Sequence, residues 1–382
     1  MRRVFLLIFL FIILQGFYAG ITSSPKELDS VMYHIPIAKS YLTGDIFSSP
    51  KSPILHRFFP GASEGILALF ILFHVPLNLY NVLGVLCLFF ASYFLGKRAG
   101  LSKDMIVIFA VSFSSLTTVT RWMNVQIVDI WMAVFYSIAL AFLIKPEKNI
   151  LYFLTLGIAV GMILGTKYSG PLFVTILFLF FGKNILRFFS FQKAFLFLIP
   201  VSILGLFWYL RNFIVMGNPL YPISFLSFPG VKDWALEIPV WRAILNYPAS
   251  FATAVLSEYL GWSLLIIPAI LYAGYELFTK RKLSFSVMLL FLALCNLLIY
   301  LLLPNGASYR VHVSNLRYSY PALLPLLLSI FLIAKDHKWD EHLGIFALAN
   351  ILFVLQFPYH PKLLIIYIPL ALFIWMRRYD TM

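Results

Sequence analysis

Long apolar runs recur along the whole chain, and short polar turns separate them. A helix of about 20 apolar residues crosses a hydrocarbon core about 30 Å thick. The pattern therefore predicts an all-α polytopic membrane protein with about 12 transmembrane helices. The predicted spans are 4–20, 79–96, 105–119, 129–144, 150–165, 169–182, 194–210, 259–278, 283–303, 318–334, 342–356 and 362–376.

Basic residues mark every second turn between these runs. Of the 29 Lys and Arg residues, 17 lie on one side, although the turns on that side are much the shorter. Because cytoplasmic loops carry an excess of Lys and Arg, this side is predicted to be the cytoplasm, with both termini inside. The clusters are Lys97/Arg98/Lys103, Lys145/Lys148, Lys183/Arg187/Lys193, Lys280/Arg281/Lys282, Lys335/Lys338 and Arg377/Arg378. Two large outer loops are then expected at about 21–78 and 211–258. Smaller outer loops are expected at 120–128, 166–168, 304–317 and 357–361.

One apolar segment, residues 61–77, disturbs this order. Counting it as a span would place every later basic cluster outside. Pro60 precedes the segment and Pro76 interrupts it, so we predict a helix lying along the outer membrane interface. With no internal repeat or linker visible, residues 1–382 are predicted to form a single integral membrane domain.

The composition agrees with a membrane protein and bears on its partners. Hydrophobic residues make up 62% of the chain and charged residues only 12%, with a net charge of +14. The basic residues lie mostly in short turns beside the membrane, which favours contact with anionic lipids over nucleic acid. The apolar run from Val4 is predicted to be an uncleaved first span. Cys87 and Cys295 both lie in apolar runs, so no disulfide framework is expected.

Candidate chemistry concentrates on the predicted outer face. The acidic residues there are Glu27, Asp29, Asp45, Glu64, Asp129, Asp233, Glu237 and Glu258. The histidines His56, His312 and His360 are scattered along the sequence, so no metal site and no cofactor are predicted from them. The pair Glu27 and Asp29 leaves a divalent cation open as an alternative.

Five short motifs on this face follow one another in a recognisable order. The first is KELDSVMYHIPIAKSYLTGDI at residues 26–46, directly after the first span. The others are RWMNVQIVD at 121–129, GTKYSG at 165–170, YLRN at 209–212 followed by GNPLYP at 217–222, and NLRYSYP at 315–321. Together they resemble the outer loops of GT-C glycosyltransferases, in particular the protein mannosyltransferase and aminoarabinose transferase branch.

This resemblance implies a glycosyltransferase that uses a polyprenyl-phosphate sugar. The acidic residue of the first loop is the proposed catalytic base of these enzymes, and Asp29 matches it. Asp129 matches a second acidic position. Two departures limit the transfer of roles: Leu28 separates Glu27 from Asp29, where mannosyltransferases carry adjacent Asp-Glu, and no soluble C-terminal domain follows.

The chemistry explains why these residue types are needed. A lipid phosphate is already a good leaving group, so an inverting transfer needs one carboxylate to take the acceptor proton and cations to stabilise the phosphate. Arg suits the second task because its planar fork binds two oxygens. Asp29 is the predicted base. The predicted substrate-binding residues are Tyr33, His34, Arg57, Asp129, Lys167, Arg211, Asn212, Arg317 and Tyr318.

Structural alternatives exist for several of these residues. Asp129 is also well placed to cap the fourth span. Arg211 and Arg317 lie beside span ends, where Arg often extends to the membrane interface. His34 and Tyr33 are also suited to packing a loop helix.

Two other function classes stay open: an O-antigen polymerase or ligase, and a lipid-linked sugar transporter or flippase. Transporters usually place ionisable groups mid-membrane and show repeats, and neither feature is evident here. The expected partners are the polyprenyl-phosphate sugar donor, a lipid, glycan or protein acceptor, and membrane lipids, with no nucleic acid. The short form of the chain favours a prokaryotic cell membrane and cell envelope glycosylation, with the active site on the outer face.

Overall fold

In a computed structural model of the chain, the structure describes residues 1–47, 55–186, 188, 190–231, 238–280, 283–305 and 309–356. These residues are mostly helical. The α-helices are α1 Arg2–Thr22, α2 Ile35–Thr43, α3 Ala62–Leu72, α4 Tyr80–Arg98, α5 Lys103–Ser114, α6 Thr117–Thr120, α7 Asp129–Ile144, α8 Ile150–Thr166, α9 Gly170–Leu186, α10 Phe191–Pro200, α11 Phe207–Met216, α12 Val240–Asn246, α13 Pro248–Tyr259, α14 Ile266–Lys280, α15 Phe285–Leu302, α16 Tyr309–Asn315, α17 Tyr320–Asp336 and α18 Asp340–Gln356. Strands β1 Ile238–Pro239 and β2 Pro304–Asn305 pair antiparallel, with Ile238 opposite Asn305.

Within the described ranges, six helical segments are long and apolar enough to cross a membrane. They are Arg2–Thr22, Leu77–Arg98, Phe191–Met216, Pro248–Thr279, Phe285–Leu302 and Arg310–Asp336. Shorter apolar helices are Ala62–Leu72, Asp129–Ile144, Ile150–Thr166 and Gly170–Leu186. The chain is therefore an integral helical membrane protein, as predicted, while the number of about 12 spans stays a prediction. The predicted span 362–376 lies outside the described residues.

Three predicted spans have other bounds in the structure. The predicted span 105–119 is interrupted, since α5 ends at Ser114 and the short helix α6 follows. The predicted span 259–278 corresponds to a 3-10 turn, Leu260–Leu265, followed by α14. A further helix, α13, precedes it from Pro248, a favourable first helical residue because proline has no N–H to leave unpaired. Helix α11 also continues to Met216, where the left-handed Gly217 ends it. The second outer loop is consequently shorter than 211–258.

Helix α3 corresponds to the segment predicted to lie at the interface. It covers 11 residues, from Ala62 to Leu72. At about 1.5 Å per residue, such a helix is too short to cross the membrane. Its placement along the outer interface stays a prediction.

The core of the bundle is formed by several helices packed against one another. Helix α4 packs against α5 and α7, and α17 packs against α15 and α7. Gly157, Gly161 and Gly165 line one face of α8, where a Cβ atom would collide with the backbone at 197–204. This spacing of small residues lets two helices approach closely, as in other membrane proteins. Helix α8 therefore lies close against the backbone at 197–204.

Candidate active site

Arg317 joins two of the predicted acidic residues. It lies in a short 3-10 turn, Leu316–Ser319, between α16 and α17. Its Nη2 donates to Oδ2 of Asp29 at 2.8 Å, and its Nε lies 3.1 Å from Oδ2 of Asp129. The Arg317 side chain is only 3% exposed, whereas that of Asp29 is 32% exposed. The structure thus unites residues 288 positions apart in sequence.

Asp129 also pairs with a second cation. Lys167, in the turn after α8, donates to Oδ1 of Asp129 at 2.5 Å. Asp129 is buried at the start of α7, where the helix dipole also favours a carboxylate. The cluster of Asp29, Asp129, Lys167 and Arg317, which we call the Asp29 cluster, therefore holds two negative and two positive groups.

Aromatic rings enclose the two cations. The Arg317 guanidinium carbon lies 4.8 Å from the ring centroid of Trp122 and 5.2 Å from that of Tyr318. Lys167 Nζ lies 3.9 Å from the centroid of the Tyr318 ring. Such cation–π contacts hold the charged groups in fixed orientations. Lys167 remains the more accessible of the two cations, with a side chain 26% exposed.

Asp29 belongs to a helical segment with an unusual turn. Residues Ser30–His34 form a π-helical turn that leads directly into α2. Ser30 anchors the start of this turn, because the Ser30 Oγ accepts a hydrogen bond from the backbone N–H of Gln126 at 3.1 Å. Glu27 Oε2 accepts from the Ser30 amide at 2.8 Å and from its Oγ at 3.0 Å. The Glu27 carboxylate thus caps this turn.

Tyr33 lies beside Asp29 and contacts two histidines. Its ring centroid is 4.5 Å from that of His56, in a stacked arrangement, and 4.2 Å from that of His34. Burial, and then the charge of Asp29, raise the pKa of Tyr33 well above its usual value. The pKa of His56 is lowered, mainly by burial. The charge of Asp29 raises this pKa, and the electrostatic interaction with His34 lowers it further. Tyr33 is therefore a neutral phenol at physiological pH.

His34 makes a buried pair with an acid on another segment. His34 Nδ1 lies 2.7 Å from Oε1 of Glu64, and both side chains are almost fully buried. Glu64 is in the first turn of α3. Arg57 follows His56 in the chain, and its Nε is buried without a hydrogen-bond partner among the described residues.

Arg211 and Asn212 lie in a different cluster from Asp29. Arg211 Nη2 donates to the Phe58 carbonyl at 3.0 Å, and Asn212 Nδ2 donates to the same oxygen at 2.7 Å. Asn212 also donates to the Tyr168 hydroxyl at 2.8 Å. These residues tie the middle of α11 to the segment around Phe58. No carboxylate contacts Arg211 in the described part of the chain.

Sequence reasoning missed several residues of this region. Glu258, in α13, is fully buried and accepts three hydrogen bonds from Arg121, at 3.1, 3.3 and 2.5 Å. Trp122, which stacks on Arg317, stands beside Arg121 in the second motif and was not selected. The second motif carried a signal for Arg121 and Trp122, since a charged and an aromatic residue follow each other there. Glu64 was named among the acidic residues of the predicted outer face but was not selected, because it stands at the start of an apolar run.

The described residues contain no group of three or more His, Cys, Asp or Glu side chains placed to hold a metal ion. The alternative of a cation between Glu27 and Asp29 stays a hypothesis; Oε2 of Glu27 accepts from Ser30.

Comparison with known proteins places this arrangement in a known fold. No family model matches the chain, and neither does any curated protein. Its structure is similar to ArnT from Cupriavidus metallidurans in the apo state, with a TM-score of 0.60 and 14% identity over 91% of this chain and 62% of ArnT. ArnT bound to undecaprenyl phosphate gives 0.58 and 15%, over 91% and 63%. The Archaeoglobus fulgidus oligosaccharyltransferase in complex with Zn and sulfate gives 0.50 and 15%, over 94% and 52%.

The chain thus spans less than two thirds of the length of each of these neighbours. ArnT, an aminoarabinose transferase, and the oligosaccharyltransferase are both GT-C glycosyltransferases. At these identities the likeness concerns the fold. The resemblance of the sequence motifs to GT-C glycosyltransferases is therefore confirmed at the level of the fold.

Proposed function

We propose that this protein is an inverting glycosyltransferase that moves a sugar from a polyprenyl-phosphate donor to an acceptor hydroxyl at the extracytoplasmic membrane face. The observation that carries the proposal is the Asp29 cluster, in which a partly exposed carboxylate lies among cations at the ends of apolar helices. The fold shared with ArnT, which binds undecaprenyl phosphate, supports a lipid-phosphate donor.

Asp29 is the proposed general base. The acceptor oxygen attacks the anomeric carbon, its proton passes to the Asp29 carboxylate, and the bond from that carbon to the phosphate oxygen breaks. The lipid phosphate leaves with the bonding electrons, and a single displacement inverts the anomeric centre. Arg317 fixes the direction of the carboxylate through Oδ2, at 2.8 Å. Asp129 is too buried to reach an acceptor as readily.

Lys167 and Arg57 are the proposed phosphate-binding cations. Two carboxylates already balance Arg317 and Lys167, so an incoming phosphate adds a charge that the cluster alone does not neutralise. Arg57 supplies the missing positive charge, and its buried Nε lacks a protein acceptor within the described chain. A guanidinium can hold two phosphate oxygens at once. Arg317, at 3% exposure, acts instead on the two carboxylates.

An apolar cavity beside the cluster suits the lipid chain. Its volume is about 270 Å³, and it lies between α13, α14, α15 and α17. Leu316 and Ser319, the two ends of the turn that carries Arg317, both line it. The remaining lining is almost wholly apolar, as a polyprenyl chain requires. A donor with its chain in this cavity would have its phosphate beside the Asp29 cluster.

Turnover of a defined polyprenyl-phosphate sugar by the purified protein tests the proposal. Asp29→Asn keeps the shape of the side chain but cannot accept the proton, so we expect turnover to fall about 100-fold or more at unchanged thermal stability. Asp45→Asn, the same change in the same outer segment, is the control and should stay close to wild type. Turnover of the Asp29→Asn variant near wild type would remove Asp29 from the chemistry. Movement of labelled lipid across vesicles without sugar transfer would favour a transporter instead.

The face on which the site lies can be tested by labelling. The distribution of Lys and Arg predicts that a cysteine at Ser227, an exposed loop residue, reacts with a membrane-impermeant thiol reagent in intact cells. A cysteine at Asp336, at the end of α17, should react only after the cells are opened. Labelling in the opposite order would invert the topology and place the site in the cytoplasm.

A further inference from the structure

The buried pair of His34 and Glu64 is adjacent to the Asp29 cluster and has no part in the reaction proposed above. The two residues are 30 positions apart in sequence, and His34 Nδ1 lies 2.7 Å from Glu64 Oε1. The second carboxylate oxygen of Glu64 is buried and has no hydrogen-bond partner in the described chain. Burial of such a pair is costly, and well-packed apolar residues would serve stability as well or better. The pair therefore calls for a role other than holding the fold together.

The turn that ends at His34 supplies this role. A π-helical turn holds one residue more than an α-helical turn, and such turns are frequent at functional sites. Ser30 and Gln126 anchor one end of it, and His34 and Glu64 anchor the other. Beyond this turn, Ile37 and Ala38 of α2 are fixed in the core.

Asp29 lies at the opposite end of the turn from α2. If the turn relaxed to α-helical geometry, the residues before it would rotate by about 100° relative to α2, since an α-helix has 3.6 residues per turn. Asp29 would then leave Arg317. The direction of the carboxylate consequently depends on the anchor at His34.

We propose that His34 and Glu64 are a positioning pair, which holds the π-helical turn and thereby directs the Asp29 carboxylate toward the acceptor. The role assigned to Asp29 rests on the proposed function. Neither member of the pair touches the reacting atoms. Loss of the pair should accordingly lower kcat and leave the KM for the donor nearly unchanged.

Substitutions at Glu64 separate positioning from simple stabilisation. Glu64→Leu has a similar size but no acceptor for His34, so we expect kcat to fall about 10- to 100-fold, the usual effect of a misplaced catalytic group. Glu64→Gln keeps an oxygen that can accept from Nδ1 and should restore most of kcat. A Glu64→Leu variant with wild-type kcat would overturn the proposal.

Tyr41→Phe is the matched control. Tyr41 donates to the Gly61 carbonyl at 2.8 Å, so it links the same two segments as His34 and Glu64 but lies beyond the π-helical turn. Its loss should lower thermal stability and leave kcat unchanged. An equal loss of kcat in Tyr41→Phe and Glu64→Leu would show that the pair is only structural.

A second measurement does not depend on sugar transfer. In an Asp29→Cys background, the thiol should react with a negatively charged methanethiosulfonate reagent at one rate in the parent and in Tyr41→Phe, and at a different rate in Glu64→Leu. Equal rates in all three proteins would refute the positioning role. If the wild-type protein transfers no sugar but the labelling rates differ as expected, the proposed function fails and the positioning role stands.

Discussion

Two buried arginines, Arg317 and Arg211, look alike in sequence and differ in their partners. Arg211 follows an apolar run, Arg317 precedes one, and each stands in one of the recognised motifs. Arg317 contacts the carboxylates of Asp29 and Asp129. Arg211 donates to backbone carbonyls of Ile46, Arg57 and Phe58, and packs over the ring of Trp208.

Arg317 therefore belongs to a charged site, whereas Arg211 has a structural role. A guanidinium between two carboxylates fixes the positions of their negative charges and interacts electrostatically with an anion that binds nearby. A guanidinium on neutral carbonyls satisfies buried acceptors and fastens a loop, which stabilises the fold. The segment between α1 and α3 thus contacts Arg317 through Asp29 at its start and Arg211 through Phe58 near its end.

Removal of Asp129, the carboxylate shared by Arg317 and Lys167, should have the largest effect on stability and transfer. Asp129→Ala leaves Arg317 and Lys167 without a common partner, and removal of one member of a buried ion pair typically costs about 3–5 kcal/mol. We expect a correspondingly large fall in thermal stability in detergent, together with loss of transfer. Asp129→Asn keeps one acceptor and should be less damaging. An Asp129→Ala protein as stable as wild type would mean that the cluster is not coupled as described.

Removal of Arg211 should act on stability rather than on chemistry. Arg211→Ala leaves buried carbonyls with fewer donors, at a cost of about 1–3 kcal/mol. The folded fraction should keep a donor KM close to wild type. Arg211→Lys keeps the charge but cannot reach several carbonyls at once, so it should not restore stability. A higher donor KM at normal stability would instead support Arg211 as a phosphate ligand, as the sequence predicted.

Removal of Arg57 should have the smallest effect and the most specific one. Arg57→Ala is expected to raise the donor KM about tenfold, equivalent to 1.4 kcal/mol of binding free energy, at unchanged stability. The physical reason is the loss of the cation that balances the donor phosphate. Arg242→Ala, which removes the same charge from an exposed position, is the control. Equal effects of the two changes would indicate a general loss of surface charge.

The sequence by itself determined the class of protein and the fold, because both depend on local patterns. The length of an apolar run decides whether a helix can cross the membrane, and the bounds predicted for the helix at 129–144 agree with α7 at both ends. Motifs kept in order along the chain carried the resemblance to GT-C glycosyltransferases. Asp29, Asp129, Lys167 and Arg317 were selected from the same motifs, and the structure brings them together.

Only the tertiary structure decided which of the selected residues share a cluster. The partners of Arg317 and Arg211 come from segments more than 100 residues away, and no local pattern shows which backbone or side chain will meet a guanidinium. The same holds for Glu64, whose role follows from its contact with His34 on another segment. Apolar length acts within one helix, whereas charge pairing depends on how helix ends meet, and that is set by packing across the whole bundle.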